Sequence, residues 1–143
     1  MVALVLDQLS KQAVIDRITR GEVIEVLPFL DLVHTANSGI AFGVLSGSGV
    51  IVPLLGLVVL GIVVVWFARH PFTPLAWLAT GLIAGGAIGN LVDRLRHGAV
   101  TDFVSVGDFP AFNVADAAIT CGVVLFVLIA LFAPEGKDGV DAA

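Results

Sequence analysis

Between Gly85 and Asp116 the chain reads GGAIGNLVDRLRHGAVTDFVSVGDFPAFNVAD. One apolar run ends inside this stretch and another begins. Asn90, Asp93 and Arg94 close the first run, Asp102 lies in the connection, and Asn113 and Asp116 open the second. Two carboxylates brought close together cannot both ionise easily, so one keeps its proton. The ionised member can then take a proton from water while the protonated member donates to a carbonyl under attack. That chemistry is peptide hydrolysis with neither a metal nor a covalent intermediate. Each acid also has a plain structural use. Asp102 suits a turn or a cap. With Asn113 as the N-cap of the next helix, Asp116 falls at the third helical position, where a carboxylate closes a capping box and suits the helix dipole.

Other catalytic devices lack their parts. His34, His70 and His97 are scattered, no HExxH occurs, and no other metal-ligand grouping is expected. There is no GxSxG elbow and no GxxxxGK[ST] phosphate loop, and no cofactor is implied. The single cysteine, Cys121, has no partner for a disulfide and reads as a small buried apolar side chain.

The elements that must position these groups follow from composition. Of 143 residues, 58% are hydrophobic and 13% charged, and the mean hydropathy is +1.05. Soluble domains run at roughly 45–50% apolar, so the solvent for most of this chain is lipid. The net charge of −5 and the absence of a basic run exclude nucleic acid as a partner. Four apolar segments are expected as membrane helices, at about 1–14, 50–68, 75–92 and 114–132, because backbone groups in lipid must bond internally. The first covers about two thirds of a bilayer at ~1.5 Å per residue, so its start is expected to lie upstream. Residues 22–45 alternate and carry turn formers, and they predict a small antiparallel sheet on the membrane surface between the first two helices. SGSG at 46–49 reads as a flexible joint and residues 134–143 as a disordered tail; the whole is one domain. Gly81, Gly85 and Gly89 recur at intervals of four and predict close helix packing.

Four crossings gather the polar groups at one end of the bundle. Asp7, Lys11, Asn37, Asn90, Arg94, Asp102, Asn113 and Asp116 share that end, while Arg69, His70 and the tail share the other. Asp7 and Lys11 also stand in the favourable order for a helical ion pair. The polar end carries five Lys or Arg (Lys11, Arg17, Arg20, Arg94, Arg96), which the positive-inside rule would place in the cytoplasm. A small proton-coupled carrier or channel subunit is the competing reading. It predicts midplane polar groups and repeated halves, and the sequence shows neither.

These residues resemble one known family, the lipoprotein signal peptidases or signal peptidase II, over nearly the whole chain. DQLSK (Asp7–Lys11), NSGIAF (Asn37–Phe42), GGAIGNLVDRLRHGAVTDF (Gly85–Phe103) and FNVAD (Phe112–Asp116) are similar to its motifs and stand in its order. The resemblance implies a membrane aspartic endopeptidase with Asp102 and Asp116 as the catalytic pair. It also implies that Asp7, Lys11, Asn37, Gly39, Asn90, Arg94 and Asn113 line the substrate site. The implied substrates are diacylglyceryl-modified prolipoproteins, cut before the lipidated cysteine, and the implied inhibitors are globomycin-type peptides. The implied location is the bacterial cytoplasmic membrane, multi-pass, with the active site at the extracytoplasmic face and the enzyme a monomer in contact with membrane lipids.

Overall fold

A computed structural model describes residues 1–38, 51–69 and 75–132. Four helices carry the chain: α1 (Val2–Arg17), α2 (Ile51–Arg69), α3 (Ala76–His97) and α4 (Val114–Phe132). Between α1 and α2 lie β1 (Val23–Leu27) and β2 (Leu30–Asn37); between α3 and α4 lie β3 (Val100–Val106) and β4 (Phe109–Phe112). Gly39, the expected extension of the sheet to residue 45, the joint at 46–49, His70 and the tail lie outside the described residues.

α3 is the hub and packs on all three other helices. Its glycines explain how. A Cβ on Gly85 would touch Ala3 of α1, one on Gly89 would run into the carboxylate of Asp7, and one on Gly86 would reach Ala115 and Ile119 of α4. Small residues there let backbones approach. Gly81, grouped with Gly85 and Gly89 by spacing, faces open space and takes no part. From the other side, Gly122 of α4 sits against Ala79 and Ile83 of α3. Trp66 on α2 meets Phe126 on α4 edge to face, with ring centroids 4.8 Å apart.

α1 and α3 both run further than apolarity alone predicts. α1 continues through Arg17 and turns into extended backbone at Ile18, whose N–H still bonds to Val14 O. α3 continues past Val92 through Asp93, Arg94, Arg96 and His97, and stops at Gly98, with φ 74° and its N–H on Arg94 O. Charge marked the end of hydrocarbon at Val92, but a left-handed glycine marks the end of the helix. Basic side chains in its last turn suit the negative end of the dipole.

The sheet departs from expectation in origin. It has four antiparallel strands in the order β1-β2-β3-β4, so half comes from the α3–α4 connection and not from the segment between the first two helices alone. Two hairpins, one from each connection, are joined by β2–β3, where Thr35 pairs with Asp102, Ala36 with Thr101 and Asn37 with Val100. Val14 and Ile18 at the end of α1 pack against Phe103 of β3 and form a small apolar core beneath the sheet.

Burial is inverted relative to a soluble protein. Asp7, Lys11, Asp93, Asp102 and Asn113 are each at most 2% exposed, whereas Leu9, Trp77, Leu131 and Phe132 are each at least 64% exposed. Cys121 is also exposed on α4, not buried as the sequence suggested. A surface of Leu, Val, Ile and Phe around a charged interior is stable when the surroundings are hydrocarbon. Among the described residues α3 and α4 are long and apolar enough to cross a membrane.

Candidate active site

The polar interior begins on α1. Asp7 and Lys11 are one helical turn apart, and Lys11 Nζ lies 2.9 Å from Asp7 Oδ2. The same ammonium reaches α3, at 3.1 Å from Asp93 Oδ2 and 2.9 Å from Asn90 Oδ1. An ammonium has three N–H donors, so these contacts use them all. The other oxygen of Asp7 accepts the backbone N–H of Ala115 at 2.8 Å, inside the first turn of α4. One side chain thus ties α1 to the helix that carries Asp116.

Asn90 passes the connection onward. Its Oδ1 is held by Lys11, and its Nδ2 donates to Asp116 Oδ1 at 2.8 Å. Asp116 Oδ2 accepts the backbone N–H of Asn113 at 3.3 Å, while Asp116 N–H donates to Asn113 Oδ1 at 3.0 Å. This is the reciprocal capping box read from FNVAD. Capping leaves Asn113 with its amide donors, and Nδ2 gives one to Asp102 Oδ1 at 2.7 Å. Asn37 Nδ2, from the neighbouring strand, donates to Asp102 Oδ2 at 3.0 Å.

Both carboxylates are therefore bonded to one residue, Asn113: Asp102 by its side chain, Asp116 by its backbone. β3 supplies the first acid, the start of α4 the second, and the sheet and the cap hold them together. Burial pushes the Asp102 carboxyl above its usual range. The amides of Asn37 and Asn113 pull it back, the charge of Asp116 raises it further, and Lys11 lowers it. Such a centre can hold one proton between two acids.

Asp7, Lys11, Asn37, Asn90, Asn113, Asp102 and Asp116 thus form one bonded network. Arg94 stands beside it with Nη1 on Asn90 O at 3.3 Å, and its buried Nε has no acceptor among the described residues. Two participants carried no assigned role in the sequence reading. Asp93 holds Lys11, accepts Gln8 Nε2 at 3.0 Å, and accepts the backbone N–H of Thr101 at 3.1 Å, next to Asp102 in the chain. Gln8 also reaches Asp7 and Gly89 O. The signal was present: Asp93 lies three residues after Asn90, on the same face of α3. Among the described residues no group of His, Cys, Asp and Glu has the arrangement of a metal site.

A helical bundle with a charged cluster inside, apolar side chains outside and a carboxylate pair at one end defines a membrane protein with a buried polar site. Known proteins narrow this class. The profile of the family described as "Signal peptidase (SPase) II" matches residues 1–132. The "Lipoprotein signal peptidase" of Syntrophomonas wolfei is 38% identical over 138 residues, covering 96% of this chain and 91% of that protein. That of Thermodesulfovibrio yellowstonii is 40% identical over 130 residues, covering 87% and 86%. A bacterial membrane enzyme solved by the in meso method at 2.3 Å resolution superposes with a TM-score of 0.80 at 31% identity, covering 99% of this chain and 90% of that one. A second such structure, at 1.9 Å, gives 0.80 at 33% identity over 93% and 89%. The chain belongs to the signal peptidase II family, and it is a peptidase of the membrane.

Proposed function

We propose that this peptidase removes the signal peptide from diacylglyceryl-modified prolipoproteins by aspartic catalysis, with Asp102 and Asp116 as the two acids. The observation that carries the reading is the shared contact of both carboxylates with Asn113, at 2.7 Å and 3.3 Å, inside a network that fixes their separation.

Asp102 is the acid that keeps the proton, since burial and the charge of Asp116 both favour its neutral form. Asp116 acts as the base. It takes a proton from a water lying between the acids, and the hydroxide adds to the scissile carbonyl carbon as Asp102 donates to the carbonyl oxygen. The resulting gem-diol collapses when the nitrogen is protonated and the C–N bond breaks, returning a proton to Asp102. Arg94, with its unused buried Nε, binds a substrate carbonyl. Asn37 and Asn113 hold Asp102, and Asn90 holds Asp116. Asp7 and Lys11, fully engaged in the interior, serve by positioning α3 and α4.

All four helices cross the cytoplasmic membrane as one domain, with the sheet and the acids at the extracytoplasmic face. Substrate acyl chains stay in lipid beside the spans while the extended cleavage segment enters under the sheet. Gly39 belongs to the same substrate site by its motif. Globomycin-type peptides fit as non-cleavable occupants, and the enzyme works as a monomer. Incubating the purified chain with a lipidated and a non-lipidated precursor tests the reading: cleavage confined to the lipidated one supports it, and equal cleavage of both contradicts it.

A further inference from the structure

The sheet has a second face. Strand alternation sends Thr101 to the side opposite Asp102. There, with Thr101 in its wall, lies a hollow of about 250 Å³, with Ile15, Ala36 and Ala99 among its apolar lining and Arg20, His34 and His97 as its basic groups. At ~30 Å³ per water this is room for a phosphate group with the carbons beside it.

Among the described residues Arg20 and His97 make no ion pair, the ion pairs being those of Lys11 with Asp7 and Asp93. Glu22 accepts Thr19 N–H at 2.7 Å and Asp16 accepts Gln12 Nε2 at 2.8 Å, and neither acid is ion-paired with Arg20. His34 Nδ1 lies 2.7 Å from Ile18 O, so that nitrogen carries the hydrogen and is spent on the backbone, and the ring serves as wall. The C-terminal ends of α1 and α3 border the hollow and carry negative dipole ends. An anion is held there by the Arg20 guanidinium and a ring N–H of His97, against the dipoles.

We propose that this hollow binds a phosphate group, of the kind presented by a phospholipid headgroup or by free phosphate. The inference rests on the membrane placement of the bundle and not on the chemistry at Asp102. The hollow lies beside the C-terminal ends of α1 and α3, the level at which a bundle crossing the bilayer meets headgroup phosphates. It also accounts for the cations at this end. Lys11 is locked in the interior and Arg94 stands by the acids, which leaves Arg17, Arg20 and Arg96 to be balanced by lipid.

The purified chain in dodecylmaltoside is incubated with dioleoylphosphatidylglycerol, with dioleoylglycerol, which lacks the phosphate, or with inorganic phosphate, and adducts are counted by native mass spectrometry. Phosphatidylglycerol should be retained and dioleoylglycerol should not. Arg20→Gln should weaken retention about fivefold, and Arg20→Gln with His97→Gln more than that. Competition by inorganic phosphate supports the site with the free ion as its source; failure to compete supports it with the lipid as source. Equal retention by wild type and the double variant, or of the lipid without phosphate, overturns it. Precursor cleavage by the same double variant should match wild type, which separates failure here from failure of the peptidase reading.

Discussion

At the scale of single residues the site turns on one asparagine. Asn113 caps α4 with its Oδ1 and holds Asp102 with its Nδ2. Asn113→Ala should lower stability by about 0.5–2 kcal/mol for the lost cap. It should also depress cleavage by more than that loss explains, as read by kcat beside the thermal midpoint in detergent. The proton on Asp102 sets a second expectation. Because its carboxyl is raised, the working neutral form is present at lower pH and is lost as pH rises through the raised value, giving an alkaline limb above the usual carboxylate range. Asn37 donates to the ionised form, so Asn37→Ala should move that limb to higher pH. A limb that stays in place or moves down would detach Asn37 from Asp102. The capping box was legible in the sequence because cap and partner sit three residues apart in FNVAD. Its second task, gripping Asp102, was not, since a side chain's spare donor leaves no mark in the spacing.

At the scale of elements, contact between α1 and α3 decides whether the acids are placed. Gly89→Ala should displace Asp7 and lower both stability, by roughly 1–3 kcal/mol, and activity. Gly81→Ala, in open space, should change stability by no more than about 1 kcal/mol and leave cleavage intact. Lys11→Met leaves Asp7 and Asp93 buried without their cation and should cost about 3–5 kcal/mol. Comparing the three thermal midpoints with wild type in one detergent checks the set. The glycine spacing predicted close packing but could not say which glycine meets which helix; Gly81 shares the period and not the contact. β3 and β4 carry a signal that the sequence expectation did not include: VTDFVSV is rich in β-branched and aromatic residues, a Gly-Asp turn follows, and FPAF returns. The pairing of β2 with β3, which brings Asn37 to Asp102, joins segments far apart in the chain and leaves no local trace.

At the scale of the whole molecule the inverted burial is the main finding. Asp7, Lys11, Asp93 and Asp102 are inside because they have partners there, and apolar side chains face outward because lipid is their solvent. Val124, 54% exposed near the middle of α4, tests this. Val124→Lys should cost about 2.5–3.5 kcal/mol of insertion and reduce the membrane-integrated fraction. An unchanged fraction would argue that α4 lies against water. Composition made the membrane setting readable at once. The charge count at the polar end includes Lys11 and Arg94 as though both were free. Lys11 is spent in the interior and Arg94 lies beside the buried network, so neither counts fully toward orientation.

The most direct measurement is cleavage of a lipidated precursor by purified Asp102→Asn and Asp116→Asn, each confirmed as folded by its thermal transition. Both acids working on one water predict that each substitution separately lowers kcat by about 10²–10⁴-fold or more. Near wild-type turnover by either folded variant would contradict the pairing.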